Sequence, residues 1–249
     1  MLPGNACDTP ADRGRPPDRR SSLVRMTGSA VRSVASEAVR EYVEGYLAED
    51  DVQLGARTLA LQIGCPPVGP GVGAGLCFLA ATVGARAVVE VGTGVGVSGL
   101  WLLRGMAPDG VLTSIDVDPE RQRSARGAFT AAGHGPGRLR LINGLGLDVL
   151  PRLTDGAYDL VFVDAVAAEY PRYLDEAVRL LRPGGIVALD DVLGGGVADP
   201  DATDPDSVTL REVAHQMRAD ERLVPVLLPL GDGLLAAVKA DRPTPSIVR

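Results

Sequence analysis

Hydrophobic positions in this chain recur with two different spacings. Short continuous runs rich in Val, Ile and Leu, typical of strands buried on both faces of a sheet, occupy residues 87–91, 111–115, 138–142, 158–164 and 186–189. The segments between them carry apolar residues at three- and four-residue steps, which indicates amphipathic helices. Strands that alternate with helices predict a parallel sheet covered on both faces, because each crossover returns the chain to the same end of the sheet.

Start and stop signals bound the helices. Asp118 and Asp204 are predicted N-cap residues, because each is followed by a proline that suits the first helical position. Gly64 interrupts the helical pattern before a Pro-Pro pair, and the Arg-Pro-Gly-Gly run at 182–185 is a stop signal. The predicted helices are residues 31–46, 51–62, 71–83 and 168–181, one that ends at Arg104, and two that begin at Pro119 and Pro205.

The chain closes with a different pattern. Two apolar runs, Leu223–Leu230 and Leu234–Lys239, are separated only by Gly231-Asp232-Gly233, which predicts a hairpin. The hairpin adds an antiparallel strand at the edge of the sheet, a feature that dinucleotide-binding domains usually lack. We therefore predict an α/β fold with a doubly wound, seven-stranded sheet and an antiparallel C-terminal hairpin.

The same patterns define the organisation of the chain. We predict a single domain over residues 30–240, preceded by a leader and followed by a short tail at 241–249. Residues 1–29 are rich in Pro, Arg and Gly and have no periodicity, so the leader is predicted to be disordered. Met26 is an alternative start of the protein.

Composition narrows the range of partners. The formal charge of −7 argues against nucleic acid or an anionic membrane as the main partner. Three scattered cysteines without a C-x-x-C pair indicate reduced thiols and a cytoplasmic protein. No apolar run has the length of a membrane span. We therefore expect a small molecule, and not nucleic acid or a membrane, as the main binding partner.

The organising stretch is Val88–Leu103, an apolar run followed by four glycines and a helical pattern. It predicts a strand, a tight turn and a helix start, whose free amide groups and missing side chains form a cradle for a polar cofactor. Gly94–Gly99 fits the G-x-G-x-x-G pattern of dinucleotide sites. Glu90, however, is an ionisable residue on a buried strand. It would repel a pyrophosphate and attract the amino acid end of S-adenosylmethionine, which we favour.

Carboxylates end four of the predicted strands, where ligands bind in doubly wound sheets. They are Glu90, Asp116, Asp164 and the Asp190-Asp191 pair. Asp116 ends the second strand, where it can accept hydrogen bonds from both ribose hydroxyls. Gly144 lies in a further glycine turn, at the end of the third strand, where the adenine edge is expected.

With these motifs in place, the chain resembles the catechol-O-methyltransferase-like class I methyltransferases, with a Rossmann-like fold, and most closely the small actinobacterial O-methyltransferases. The resemblance covers about residues 50–240. It rests on five motifs that are specific only together: Val89–Gly94, Ser114–Pro119, Val161–Ala165, Leu180–Gly185 and Leu228–Gly233.

The resemblance implies a set of cofactor contacts. Residues at the positions of Glu90, Gly92, Thr93 and Ser98 would hold the methionine moiety of S-adenosylmethionine and its surroundings, and Asp116 its ribose. Gly94, in the glycine turn, is also predicted to bind the cofactor. The family contacts at Val68 and Val117 would complete the site, with Val117 beside the adenine, and Asp164 would lie close to both cofactor and metal. The resemblance also implies a homodimer.

The family chemistry is an in-line methyl transfer to a phenolic oxygen, assisted by a divalent cation that is typically magnesium. The implied metal ligands are Asp164, Asp190 and Asp191, with Asp164 as the catalytic residue. Two positions depart from the family pattern: Ala167 replaces the lysine base and Asp191 replaces an asparagine. Glu169 is an alternative base, although a solvated carboxylate at a helix start is the simpler interpretation.

Four hypotheses follow. The favoured one is a metal-assisted O-methyltransferase acting on a small phenol or catechol. The alternatives are a metal-independent methyltransferase on another acceptor, a protein that binds S-adenosylmethionine without transferring methyl, and, last, an NAD oxidoreductase. The sequence does not identify the acceptor.

Overall fold

A computed structural model of the protein describes Met1 and residues 37–242. Three predicted segments lie outside the described residues: the leader after Met1, the start of the first predicted helix at 31–36, and residues 243–249 of the tail. The domain boundaries and the alternative start at Met26 therefore stay predictions. Residues 37–242 belong to one compact unit.

Helices and strands alternate through most of the described chain. The helices are α1 (Glu37–Glu44), α2 (Asp51–Gln62), α3 (Pro70–Thr82), α4 (Val97–Gly105), α5 (Pro119–Ala131), α6 (Gly146–Val149), α7 (Tyr170–Leu180) and α8 (Pro205–Ala219). Three short 3-10 turns lie at Pro136–Arg138, Leu150–Arg152 and Ala167–Glu169. None of the described helices combines the length and the apolar character that crossing a bilayer requires.

The strands form one seven-stranded sheet. They are β1 (Ala87–Val91), β2 (Val111–Asp116), β3 (Leu139–Asn143), β4 (Tyr158–Val163), β5 (Leu181–Leu189), β6 (Leu223–Leu228) and β7 (Leu234–Lys239). Their order across the sheet is β3-β2-β1-β4-β5-β7-β6. The first five strands are parallel, and β7 runs antiparallel between β5 and β6. The predicted fold class, including the antiparallel C-terminal hairpin, is confirmed.

Alternate residues of the central strands enter two separate hydrophobic cores, as the period of two in a strand requires. In β4, Leu160 and Phe162 pack under the helices α2 to α5, whereas Val161 and Val163 pack under α7 and α8. All four side chains are fully buried. The parallel part of the sheet is thus covered on both faces. The edge formed by the carboxyl ends of its strands is not covered by these helices and is available for ligand binding.

The predicted and observed boundaries differ most at β5. The sequence predicts a turn at 182–185 and a strand only from Ile186, whereas the observed strand begins at Leu181 with a register shift against β4. A residue of β7 contacts the end of α7: Lys239 Nζ donates hydrogen bonds to the carbonyls of Val178 at 2.8 Å and Leu181 at 2.6 Å. This long-range contact has no local sequence signal.

Candidate active site

The turn after β1 passes tightly against a neighbouring strand. Gly92 has φ +97°, and a Cβ there would collide with the carbonyl oxygen of Asp164 at the end of β4. Gly96, with φ +96°, is the N-cap of α4, and a Cβ on Gly99 would come within 2.6 Å of the Phe129 ring. Glycine is required because the backbone is left-handed or a neighbour fills the side-chain space. The start of α4 is thereby held at the carboxyl edge of the sheet.

Glu90 lies beneath this turn and is fully buried. Its Oε1 accepts a hydrogen bond from Ser98 Oγ at 2.6 Å, and its Oε2 accepts one from Ser114 Oγ at 2.5 Å. Burial raises the pKa of Glu90 to about 7, although the two hydroxyl donors favour the charged form. Because protein groups occupy both oxygens, Glu90 positions Ser98 at the start of α4.

Asp116, at the end of β2, holds the same turn from the other side. Its Oδ2 accepts a hydrogen bond from the amide of Gly94, and its Oδ1 accepts one from the amide of Asp118, both at 2.8 Å. Gln122 on α5 donates to the carbonyls of Ser114 at 3.2 Å and Ile142 at 2.8 Å. The amide of Gln122 thus joins the ends of β2 and β3 beside the turn.

An open cleft lies above the turn, at the carboxyl edge of the sheet where ligands bind in this topology. Seven predicted cofactor residues line it: Val68, Gly92, Thr93, Gly94, Ser98, Asp116 and Asp164. Three others do not. Glu90 is buried below the turn, while Val117, 60% exposed on the loop after β2, and Gly144, after β3, lie outside the cleft wall. The roles of all ten as cofactor ligands stay predictions.

The cleft also includes residues that sequence reasoning missed. They are Ala60, Cys65, Pro66, Pro67, Val95, Val97 and Arg121. The stiff Pro-Pro pair next to Val68 was the available signal for the segment at 65–67. No local pattern marks Arg121, because its place depends on how α5 packs against the sheet. Among the described residues that line the cleft, Arg121 is the single basic one.

Three aspartates, Asp164, Asp190 and Asp191, form an acidic edge next to the cofactor cleft, and Asp164 also lines the cleft. Burial, followed by the charges of Asp191 and Asp116, raises the pKa of Asp164 to about 6. Burial and then the charge of Asp164 raise the pKa of Asp190 to about 7. Asp190 is only 7% exposed, and its Oδ1 has no hydrogen-bond partner. Burial, assisted by the charge of Asp232, also raises the pKa of Asp191.

These aspartates do not converge on one point. Within residues 37–242, no group of three His, Cys, Asp or Glu side chains has the arrangement of a metal site. Asp191 is exposed and has a left-handed backbone with φ +57°; its Oδ1 fills the space where a side chain on Gly194 would lie. The predicted ligands Asp164, Asp190 and Asp191 therefore share one edge of the sheet without forming a ligand triad in this conformation.

The position of the family lysine offers no base. Ala167 lies in the 3-10 turn after β4. The alternative base Glu169 accepts a hydrogen bond from the hydroxyl of Tyr173, one helical turn along, at 2.7 Å. The hydroxyl of Tyr170 donates to the backbone carbonyl of Asp190 at 3.1 Å. Both tyrosine hydroxyls thus donate hydrogen bonds to residues of the acidic edge or its neighbouring turn. Neither is available as a proton acceptor.

This combination of sheet order, antiparallel seventh strand, glycine turn and acidic strand ends defines a class I S-adenosylmethionine-dependent methyltransferase. The chain belongs to the O-methyltransferase family, whose model matches residues 52–240. The resemblance predicted from the five motifs is confirmed.

Individual relatives agree with this assignment. A protein of Mycolicibacterium vanbaalenii, named provisionally as an O-methyltransferase, is 55% identical over 209 residues, which are 84% of this chain and 92% of the relative. A crystal structure from Corynebacterium glutamicum is 35% identical with a TM-score of 0.77, covering 83% of this chain and 97% of that one. The O-methyltransferase TomG of Streptomyces achromogenes, involved in tomaymycin synthesis and solved with S-adenosylmethionine, is 30% identical with a TM-score of 0.73 and covers 82% and 96%.

The family decides between the two cofactors that the glycine turn left open. The cofactor is S-adenosylmethionine, as predicted, and the protein is an O-methyltransferase of the class I type. The dinucleotide pattern at Gly94–Gly99 is therefore coincidental.

Proposed function

We propose that this O-methyltransferase methylates a hydroxyl of a small phenolic or catechol-like acceptor with the help of a divalent cation held by Asp164, Asp190 and Asp191. One observation carries the proposal: a buried oxygen of Asp190 has no partner in the described chain, next to the acidic wall of the cofactor cleft. A buried carboxylate oxygen without a partner is costly, and a bound cation removes that cost.

The chemistry of the residues fits a hard cation. The three candidate ligands offer carboxylate oxygens, which magnesium prefers. The charges that shift the pKa values of Asp164, Asp190 and Asp191 most are all negative. Assembly of the ligands requires the exposed side chain of Asp191 to leave the space beside Gly194. A cation would offset the mutual repulsion that keeps the three side chains apart.

The chain's own residues supply the positioning for transfer. Ser98, supported by Glu90, and the turn amides hold the methionine end of the cofactor, while Asp116 holds the ribose. Asp164 lines the cofactor cleft and belongs to the acidic edge, which supports a role for it between the cofactor and the acceptor. A cation bound there would polarise the acceptor hydroxyl and lower its pKa.

The missing base limits the acceptor. Ala167 cannot take a proton, and Glu169 is already hydrogen-bonded by Tyr173. A general base contributes about 10²–10⁴-fold to such reactions, so acceptors with an acidic hydroxyl gain most from this site. We therefore propose phenols and catechols as acceptors rather than aliphatic alcohols.

The test is methyl transfer from S-adenosylmethionine to catechol and to a simple monophenol, measured with magnesium and with a chelator. The proposal expects turnover of catechol that stops with chelator and returns with added magnesium. Isothermal titration with S-adenosylhomocysteine in both conditions separates loss of cofactor binding from loss of catalysis. Turnover that ignores the chelator would contradict metal assistance.

That outcome would select a second candidate, a metal-independent methyltransferase acting on another acceptor. Two observations favour this alternative: the described residues contain no assembled metal triad, and Ala167 replaces the family base. Cofactor binding without methylation of any phenol offered would likewise direct the search to other acceptors.

A further inference from the structure

A single carboxylate connects the first described helix to two loops that are distant in sequence. Glu44, the last residue of α1, accepts a hydrogen bond through Oε2 from the amide of Gly71, at 2.8 Å. Its Oε1 accepts a second, longer bond from the amide of Gly231 in the β6–β7 turn, at 3.3 Å. Glu44 thus joins the start of α3 to the hairpin turn.

Glycines form the space that holds this carboxylate. A Cβ on Gly69 would lie 2.8 Å from Glu44 Oε2, and a Cβ on Gly71 would lie 2.7 Å from Glu44 Oε1. Gly69 is the N-cap of α3 and provides no side-chain cap. The distant glutamate therefore fills the capping role at the start of this helix, where an anion is favoured.

The connected loops border the cofactor cleft. Cys65, Pro66, Pro67 and Val68, which line the cleft, run directly into Gly69 and the start of α3. On the other side, Asp232 follows Gly231, and its charge raises the pKa values of both Asp190 and Asp191. Glu44 is thus connected through these two loops to the cofactor wall on one side and to the acidic edge on the other.

Within the described residues, α1 contributes no side chain to the hydrophobic core. None of its residues is buried, and Tyr42 is 72% exposed. Its other carboxylates lie on the surface: Glu37 pairs with Arg40, and Glu41 is exposed. Within the described residues, Glu44 provides the hydrogen bonds from α1 to the start of α3 and to the hairpin turn, and the charge of Asp232 in that turn also acts on Arg40 of α1.

We propose that Glu44 is a positioning residue for cofactor binding: by capping α3 and holding the hairpin turn, it fixes the 65–68 segment against S-adenosylmethionine. This role requires neither a bound metal nor a particular acceptor. Its failure is therefore distinguishable from failure of the proposed phenol chemistry.

The test compares three variants by isothermal titration with S-adenosylhomocysteine. Glu44→Ala removes the carboxylate. Gly71→Ala fills its space from the opposite side, while alanine itself favours the helix. Loss of a charge-assisted hydrogen bond predicts about tenfold weaker binding in each variant. Glu41→Ala, one turn earlier on the same helix and without a partner across the cleft, should bind as wild type does.

Two further measurements separate positioning from general destabilisation. The double variant Glu44→Ala/Gly71→Ala should bind about as weakly as each single variant, because both remove the same interaction. In turnover assays, KM for S-adenosylmethionine should rise with little change in kcat.

Should Glu44→Ala fail to fold, Gly71→Ala decides alone, since the flexible end of Glu44 can move away from the new methyl group. Affinity within twofold of wild type in Gly71→Ala, or an equal loss in Glu41→Ala, would overturn the proposal.

Discussion

Glu90 shows how a single buried carboxylate supports the glycine turn. It pairs in register with Ser114 on the adjacent strand and accepts hydrogen bonds from Ser114 and Ser98. The sequence indicated that a buried charge at this position requires a partner, and we expected the cofactor to supply it. The structure supplies two serine hydroxyls instead, one of which is distant in sequence and depends on the strand register.

The raised pKa of Glu90 predicts a pH-dependent stability. The folded protein holds this proton more tightly than the unfolded chain, because the pKa rises from 4.5 to about 7. The stability that this Glu90 proton contributes is therefore fully present below pH 4.5 and is lost as the pH rises through 7, by on the order of 3 kcal/mol. Glu90→Gln should lack this loss and be more stable than wild type at pH 8 but not at pH 5.

Chemical denaturation at the two pH values measures the difference. Asp164 and Asp190 have pKa values shifted in the same direction, so the wild-type dependence should be reduced in Glu90→Gln rather than abolished. Identical pH dependence in the two proteins would contradict the assignment to Glu90.

At the scale of elements, the strand–turn–helix unit of β1 and α4 was predictable because its signals are local. An apolar run, four glycines and a helical pattern follow one another without interruption. The extended start of β5 was not predictable, because it depends on a long-range pairing of Leu181 with Tyr158 of β4, while residues 182–185 lie in the register shift between the two paired stretches. The cofactor wall at 65–67 was missed for a similar reason, since tertiary packing brings it to the turn.

Gly92→Ala tests whether this unit depends on its backbone geometry. The substitution should destabilise the protein by at least about 2 kcal/mol, because alanine disfavours the left-handed φ of +97° and its Cβ would collide with the carbonyl of Asp164. Binding of S-adenosylhomocysteine should fall with it. Gly127→Ala is the matched control: it lies in α5 with open space around it, so alanine should stabilise the protein by about 0.5–1 kcal/mol.

Denaturant unfolding and calorimetric titration of both variants measure these effects. Equal free energies of unfolding and equal affinities for S-adenosylhomocysteine in Gly92→Ala and Gly127→Ala would contradict the prediction. The close approach of Gly92 to the end of β4 would then not explain why glycine occupies this position.

At the scale of the whole molecule, parallel strands collect carboxylates at one edge of the sheet. In this topology ligands bind outside the carboxyl ends of the strands, and the observed sheet order brings the acidic ends of β1, β4 and β5 side by side. What the sequence could not predict is the mutual arrangement of Asp164, Asp190 and Asp191. That arrangement depends on loop conformations after the strands, including the left-handed backbone of Asp191.

The unpartnered oxygen of Asp190 makes this accumulation testable. Without a cation, removal of a buried and repelled charge should relieve strain, so Asp190→Asn should be more stable than wild type at pH 8 by about 1–3 kcal/mol. With magnesium at 100 times its dissociation constant, wild type should gain about 2.7 kcal/mol, and Asp190→Asn should gain much less. The stability advantage of Asp190→Asn should therefore shrink, by up to about 2.7 kcal/mol, when magnesium is added.

Thermal unfolding of both proteins with chelator and with magnesium measures this change in the stability difference. Asp201→Asn is the control, because it removes the same formal charge from an exposed loop and should respond to magnesium as wild type does. A magnesium effect of equal size in all three proteins would indicate screening of the net charge of −7. No magnesium effect in wild type would leave the metal-independent transferase as the function that the site supports.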